Sequence, residues 1–266
     1  MRFPLLCGLL TLAGLSLHAE PPRWISLEGE PVSPPKSYYN PSWESQVVAP
    51  GEKPCLQLLP AARRPARGTV LIAPGGGYEN LSTTKEGSNL AVPLNAAGYD
   101  AVVLVYTVGT KEDKDRVKAR ALDEARQALT LVQKRGAEFG LSTTQVGAMG
   151  FSAGGHLILR LAHETAQANP PSFLLVMYPG YLDKDGALRP DVVPPKVPVF
   201  LCVGDQDRLM AGATLLDKYC HEQNIPCDYL VLPGIGHGFG LTDNLPAGAK
   251  DWPTKLGTFL NSVPVP

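Results

Sequence analysis

"GAMGFSAGGHLILRLA", residues 147–162, sets one serine between glycines, after one apolar run and before another. The first run reads as a strand and the second as a helix, so Ser152 falls at a strand-to-helix junction. Gly150-Phe151-Ser152-Ala153-Gly154 matches G-x-S-x-G, the sharp turn that holds a serine hydroxyl exposed at the end of a sheet strand. A serine here is either a helix N-cap or a nucleophile, and the helix beginning after it directs its positive end toward the same place.

Outward from this element the pattern is regular. "TVLIAP" (69–74), "DAVVLVYTV" (100–108), "QVGAMGF" (145–151), "FLLVMYP" (173–179), "VPVFLCVG" (197–204) and "CDYLVLPG" (227–234) are apolar runs closed by Gly, Pro or Asp, and they read as buried strands. Helical patterns lie between them. In the segment 117–140, Leu122, Ala125, Leu129 and Val132 recur at steps of three and four. The last helix, "DWPTKLGTFLNSV", has Asp251 in capping position. Strands separated by helices predict an α/β class with a mostly parallel central sheet covered on both faces. "CLQLLP" (55–60) adds an early edge strand, and the proline-bearing connection between residues 179 and 197 is too short for a helical lid.

The 266 residues, 44% hydrophobic and 18% charged, suit one large α/β domain. A formal net charge of −1 supplies no basic field for phosphates, so nucleic acid is not an expected partner. Residues 1–19 read as a signal peptide: Arg2, a short apolar stretch, then Ala19 at a cleavage position. That leader predicts a secreted or periplasmic protein with no stable membrane insertion. Residues 20–50 are rich in proline and read as an irregular arm before a catalytic domain at 51–266. Cys55, Cys202, Cys220 and Cys227 remain after the leader, with Cys220 and Cys227 the pair to name if a bridge forms and a buried free-thiol reading beside it. No Cys or His spacing resembles a zinc site, so neither metal nor cofactor is expected.

A serine nucleophile needs a base, an acid to orient the base, and donors for an oxyanion. Behind the leader the histidines are His156, His163, His221 and His237. His156 and His163 belong to the helix after Ser152, and His221 ends a helix where a cation suits the dipole. His237, flanked by glycines in the loop after the last strand, is the expected base. "VFLCVGDQDRLM" offers Asp205 and Asp207 as competing acids, with Asp123, Asp183 and Asp185 weaker. "APGGGYEN", Pro74 to Asn80 at the end of an early strand, offers backbone N–H groups that together with Ala153 can converge on an oxyanion. Its glycines lack the Lys-Ser/Thr of a phosphate loop.

The ordered set "LIAPGGGY", "KEG" (85–87), "GAMGFSAGGHL", "YPGY", "GDQD" and "GHGFGL" resembles the α/β-hydrolase carbohydrate esterases, a group that includes acetylxylan and feruloyl esterases. The resemblance runs from about residue 53 to 262. It implies an α/β-hydrolase fold, the catalytic set Ser152, Asp207 and His237, and oxyanion donors at Gly76, Gly77 and Ala153. The family's acid closes a G-x-x-D turn, which matches Gly204 to Asp207. Where relatives carry a proline and valines after the acid, this chain reads "RLM". The expected function is hydrolysis of short acyl esters, acetyl above all, on carbohydrates such as xylan. A peptidase or general carboxylesterase with the same catalytic set, and a catalytically silent binding module, are the competing readings. No pair of carboxylates argues for glycoside cleavage.

Overall fold

The computed structural model describes residues 23–265, so the leader expected at 1–19 lies outside the described residues. In chain order the strands are β1 (Arg23–Ser26), β2 (Tyr38–Asn40), β3 (Ser45–Val48), β4 (Cys55–Leu59), β5 (Gly68–Ala73), β6 (Leu81–Ser82), β7 (Tyr99–Val105), β8 (Val146–Phe151), β9 (Leu174–Met177), β10 (Asp183–Lys184), β11 (Ala187–Leu188), β12 (Val199–Gly204) and β13 (Cys227–Leu232). The α-helices are α1 (Ala91–Ala96), α2 (Lys114–Arg135), α3 (Ala153–Thr165), α4 (Met210–Glu222) and α5 (Trp252–Ser262).

Eight strands form the main sheet in the order β1-β4-β7-β5-β8-β9-β12-β13. From β7 to β13 every neighbouring pair is parallel; β4 and β1 are added antiparallel. Strands β5, β7, β8, β9 and β12 are buried along their whole length, as expected of parallel strands covered on both faces. α2 packs on α3 and α1 on α5. Leu122, Ala125, Leu129 and Val132 of α2 are buried together with the α5 residues Trp252, Leu256, Phe259 and Leu260. Each helix thus turns its apolar stripe to the core, the largest source of stability in the molecule.

Three expectations are corrected. Within the stretch expected as an irregular arm at 20–50, the described residues from 23 on contain strands: Ile25 and Leu27 are buried and carry β1 onto the sheet, while β2 and β3 form a hairpin that pairs with β6. β4 is therefore not the edge strand; β1 covers it. β13, read as buried, is itself the other edge, and every residue in it before Leu232 is half-exposed or exposed. Asp251 stands at the N-cap of α5 but makes no side-chain capping bond.

Between β9 and β12 the chain forms the β10–β11 hairpin and one 3-10 turn in place of a helix. Cys55, Cys202, Cys220 and Cys227 are free thiols. The Cys227 thiol is pushed up in pKa, first by its hydrogen bond with Cys220 and then by burial. Among the described residues no helix is long and apolar enough to cross a membrane.

Candidate active site

The site forms where the parallel strands end, the side on which open α/β sheets bind ligands. Ser152 follows the last residue of β8 and precedes the first of α3, with φ 51° and ψ −112°. A side chain in that region is strained by roughly 1–3 kcal/mol, so the surroundings must enforce it. They do so through backbone bonds: Ser152 donates its N–H to the Met177 carbonyl at 3.0 Å, and its own carbonyl accepts from Gly180 at 3.0 Å and His156 at 3.1 Å. The flanking glycines allow the crossing. A Cβ on Gly150 would lie 2.2 Å from the Gly154 carbonyl oxygen, and one on Gly154 would lie 2.0 Å from that of Ala73. Ser152 occupies the N-cap position of α3 without a capping bond from its side chain. The hydroxyl is turned elsewhere.

It meets His237, whose Nε2 is 2.8 Å from Ser152 Oγ, while Nδ1 is 2.7 Å from Asp207 Oδ2. A neutral ring satisfies both contacts when Nδ1–H donates to the carboxylate and Nε2 accepts from the hydroxyl. The Asp207 side chain has no exposed surface, and its Oδ1 accepts from the Leu209 N–H at 2.8 Å. Asp205 is exposed and accepts from the Gly234 N–H at 2.7 Å, which ties the β12 turn to the loop of His237. Of the competing acids, Asp207 is the one against the imidazole.

The remaining candidates are placed elsewhere. His156 is buried, with Nδ1 2.7 Å from the Tyr78 hydroxyl, and burial, reinforced by the Arg160 charge, pulls its pKa down to about 3. His163 contacts the Val193 carbonyl at 3.2 Å, and the exposed His221 lies 3.4 Å from Asp217. Asp123 binds Arg126 and Gln127 along α2, and Asp183 and Asp185 sit in the exposed β10–β11 hairpin.

The glycine loop after β5 turns with φ 135° at Gly76 and 70° at Gly77. A Cβ on Gly76 would lie 2.0 Å from the Asn80 carbonyl oxygen, so only glycine fits. The Gly76 carbonyl is taken by the Glu79 and Asn80 N–H groups at 3.0 and 3.1 Å. The N–H groups of Gly76, Gly77 and Ala153 have no acceptor among the described residues, and that of Ala153 is one of the free donors at the start of α3.

Ser152, His237, Gly76 and Gly77 line a cavity of about 510 Å³. Its other walls include Trp43 from the β2–β3 turn, Glu79, Asn80, Lys85, Glu86, Tyr181 and Arg208. No sequence pattern gives Trp43, Glu86, Tyr178 or Tyr181 a role. "KEG" and "YPGY" were visible as motifs, but nothing in their spacing points to partners. Tyr78, Tyr178 and Tyr181 share the rare feature of a positive φ, at 66°, 36° and 56°, around one site. Among the described residues no group of His, Cys, Asp and Glu side chains converges to hold a metal ion.

A family model described as alpha/beta hydrolase fold matches residues 114–194, the stretch that contains Ser152. The chain is 25% identical over 240 residues to an acetylxylan esterase of Xylanibacter ruminicola, covering 76% of this chain and 47% of that protein. It thus spans about half the length of this curated relative. Among solved structures it resembles MGS-M1, an alpha/beta hydrolase enzyme from a Medee basin deep-sea metagenome library. There the TM-score is 0.66 at 24% identity, over 79% of this chain and 92% of that one. It also resembles an acetyl ester-xyloside bifunctional hydrolase from Caldicellulosiruptor lactoaceticus, with TM-score 0.63 at 21% identity, over 79% of this chain and 88% of that one. The fold is the α/β-hydrolase fold, and the chain resembles the carbohydrate esterases built on it.

Proposed function

We propose that this chain is a secreted serine esterase that removes short acyl groups, acetyl above all, from carbohydrates such as xylan. The observation that carries the reading is the run of short contacts from Ser152 through His237 to buried Asp207, at the wall of an accessible cavity. Ser152 Oγ attacks the ester carbonyl carbon as its proton passes to His237 Nε2, and Asp207 holds the resulting imidazolium. The carbonyl oxygen becomes an oxyanion that accepts from the Gly76, Gly77 and Ala153 N–H groups. The C–O bond to the sugar then breaks, and His237 returns the proton to the departing sugar oxygen. Water, deprotonated by the same imidazole, attacks the acyl-enzyme. The C–Oγ bond breaks, Ser152 regains its proton, and acetate leaves.

Two features support a carbohydrate on the leaving-group side. The cavity walls mix an indole, Trp43, with polar side chains from Glu79, Asn80, Lys85 and Arg208, a combination that suits a sugar's apolar face and hydroxyl rim. No α-helix between β9 and β12 roofs the site. The resemblance to an acetylxylan esterase supports the ester substrate, and the leader pattern of residues 1–19 supports secretion. Comparing acetate release from acetylated xylan with cleavage of long-chain aryl esters and peptide amides tests the substrate class. Acetylated xylan is expected to have the highest kcat/KM; preferential cleavage of peptide amides or long acyl chains contradicts it.

A further inference from the structure

The buried acid Glu86 has no part in the proton path from Ser152 to Asp207, yet it touches the site from beneath. The residue is 5% exposed, and its carboxylate accepts from the Gly75 N–H at 2.9 Å through Oε2. Through Oε1 it accepts from the Tyr178 hydroxyl at 2.7 Å. That hydroxyl in turn accepts from the Gly240 N–H at 3.0 Å. Gly75 precedes Gly76 and Gly77, which line the cavity, and Gly240 lies in the loop that carries His237. The Tyr178 ring stands edge-on to the His237 ring, with centroids 5.0 Å apart, and lies 5.7 Å from Phe151, the residue before Ser152. Around Glu86 the backbone is stapled to the same loop, since Lys85 O accepts from the Leu241 N–H at 2.8 Å and Asn89 Nδ2 donates to the Leu241 carbonyl at 2.8 Å.

Burying a carboxyl group against so few donors is costly, and burial outweighs those bonds to push the Glu86 pKa up. An apolar side chain would fill this space without that cost. What an apolar side chain cannot do is accept from an amide on the glycine loop and from a phenol bonded to the histidine loop at once.

We propose that Glu86, acting through Tyr178, is a positioning residue that sets the glycine loop and the His237 loop in register with Ser152. The proposal rests on the esterase reading of the site. It predicts a loss of transition-state stabilisation with little change in substrate binding, because a shift of about 1 Å at the reacting groups costs roughly a hundred-fold in rate. With p-nitrophenyl acetate, Glu86→Ala is expected to lower kcat about a hundred-fold while KM changes less than about three-fold. Glu86→Gln keeps an oxygen for Gly75 and a polar group for Tyr178, and it is expected to recover kcat to within about five-fold of the parent. Tyr178→Phe keeps the ring and the Glu86–Gly75 bond but frees Gly240, and it is expected to lower kcat about ten-fold.

Ser152→Ala measured in parallel separates the two ideas. Hydrolysis that survives Ser152→Ala overturns the site itself, and Glu86's role with it. Hydrolysis that needs Ser152 but keeps its parental kcat in Glu86→Ala overturns the Glu86 role alone, as does a loss that Glu86→Gln fails to restore. If Glu86→Ala does not fold, Tyr178→Phe decides: parental kcat overturns the proposal, and a ten-fold fall at constant KM and unfolding temperature upholds it.

Discussion

Asp205 and Asp207 stand two positions apart in one turn, and only one of them reaches the imidazole. Asp207 is fully covered and bonded to His237 and Leu209, whereas Asp205 is exposed and bonded to Gly234. Asp207→Asn is therefore expected to lower kcat by about a thousand- to ten-thousand-fold, because an amide cannot hold the histidine in the required tautomer. Asp205→Asn keeps an oxygen for Gly234 and is expected to stay within about three-fold of the parent. Steady-state kinetics on both variants check this, and equal losses would contradict the assignment of the acid. Choosing between these acids lay beyond residue-level reading, since turn chemistry favours Asp at both positions. The histidine was more legible: three of the four candidates had a structural place on a helix, and only His237 had a glycine-flanked loop. Glu86 could not be found this way, because its partners Gly75 and Tyr178 lie 11 and 92 residues away.

At the scale of elements, α3 does more than display the serine. It buries His156 against Tyr78, with the ring's pKa depressed from 6.5 to about 3 by burial. Between those values the unfolded chain takes up a proton that the folded chain refuses, so this contribution to stability is complete above about pH 6.5 and is lost as pH falls toward 3. His156→Gln removes the titration and can still accept from the Tyr78 hydroxyl. Urea unfolding at pH 7.5 and 4.5 is expected to show a smaller acid-induced loss for this variant than for the parent; parallel losses would contradict the buried neutral histidine. The turn at Ser152 was legible from its G-x-S-x-G motif, and the buried strands and the amphipathic α2 from their apolar patterns. The β2–β3 hairpin was not, because strands of three and four residues among prolines carry no pattern. That hairpin nevertheless brings Trp43 to the cavity, its turn held by the Asn40 carboxamide oxygen, which accepts from Ser42 N–H at 3.0 Å and Trp43 N–H at 3.3 Å. Trp43→Ala is expected to raise KM for acetylated xylan several-fold while leaving p-nitrophenyl acetate hydrolysis unchanged. Equal effects on both substrates would remove the indole from sugar binding.

Across the whole molecule, the site is a consequence of the parallel sheet. Gly76 and Gly77 follow β5, Ser152 follows β8, Asp207 follows β12 and His237 follows β13, so the carboxyl ends of the parallel strands collect groups from the length of the chain. On the proposed roles the chain order is nucleophile, acid, base, the order α/β-hydrolases use. The alternation of strands and helices made the sheet readable, but the edges were not. Whether a short apolar run lies inside or at a border depends on β1 finding β4, a contact that no local period encodes. The central claim is that Ser152 is the nucleophile of an acetyl esterase, and covalent labelling of the active protein tests it most directly. After treatment with a fluorophosphonate probe, the intact mass is expected to rise by one adduct, mapped to Ser152, in step with the loss of acetate release from acetylated xylan. Loss of that activity without an adduct on Ser152, or full activity in Ser152→Ala, would contradict the account.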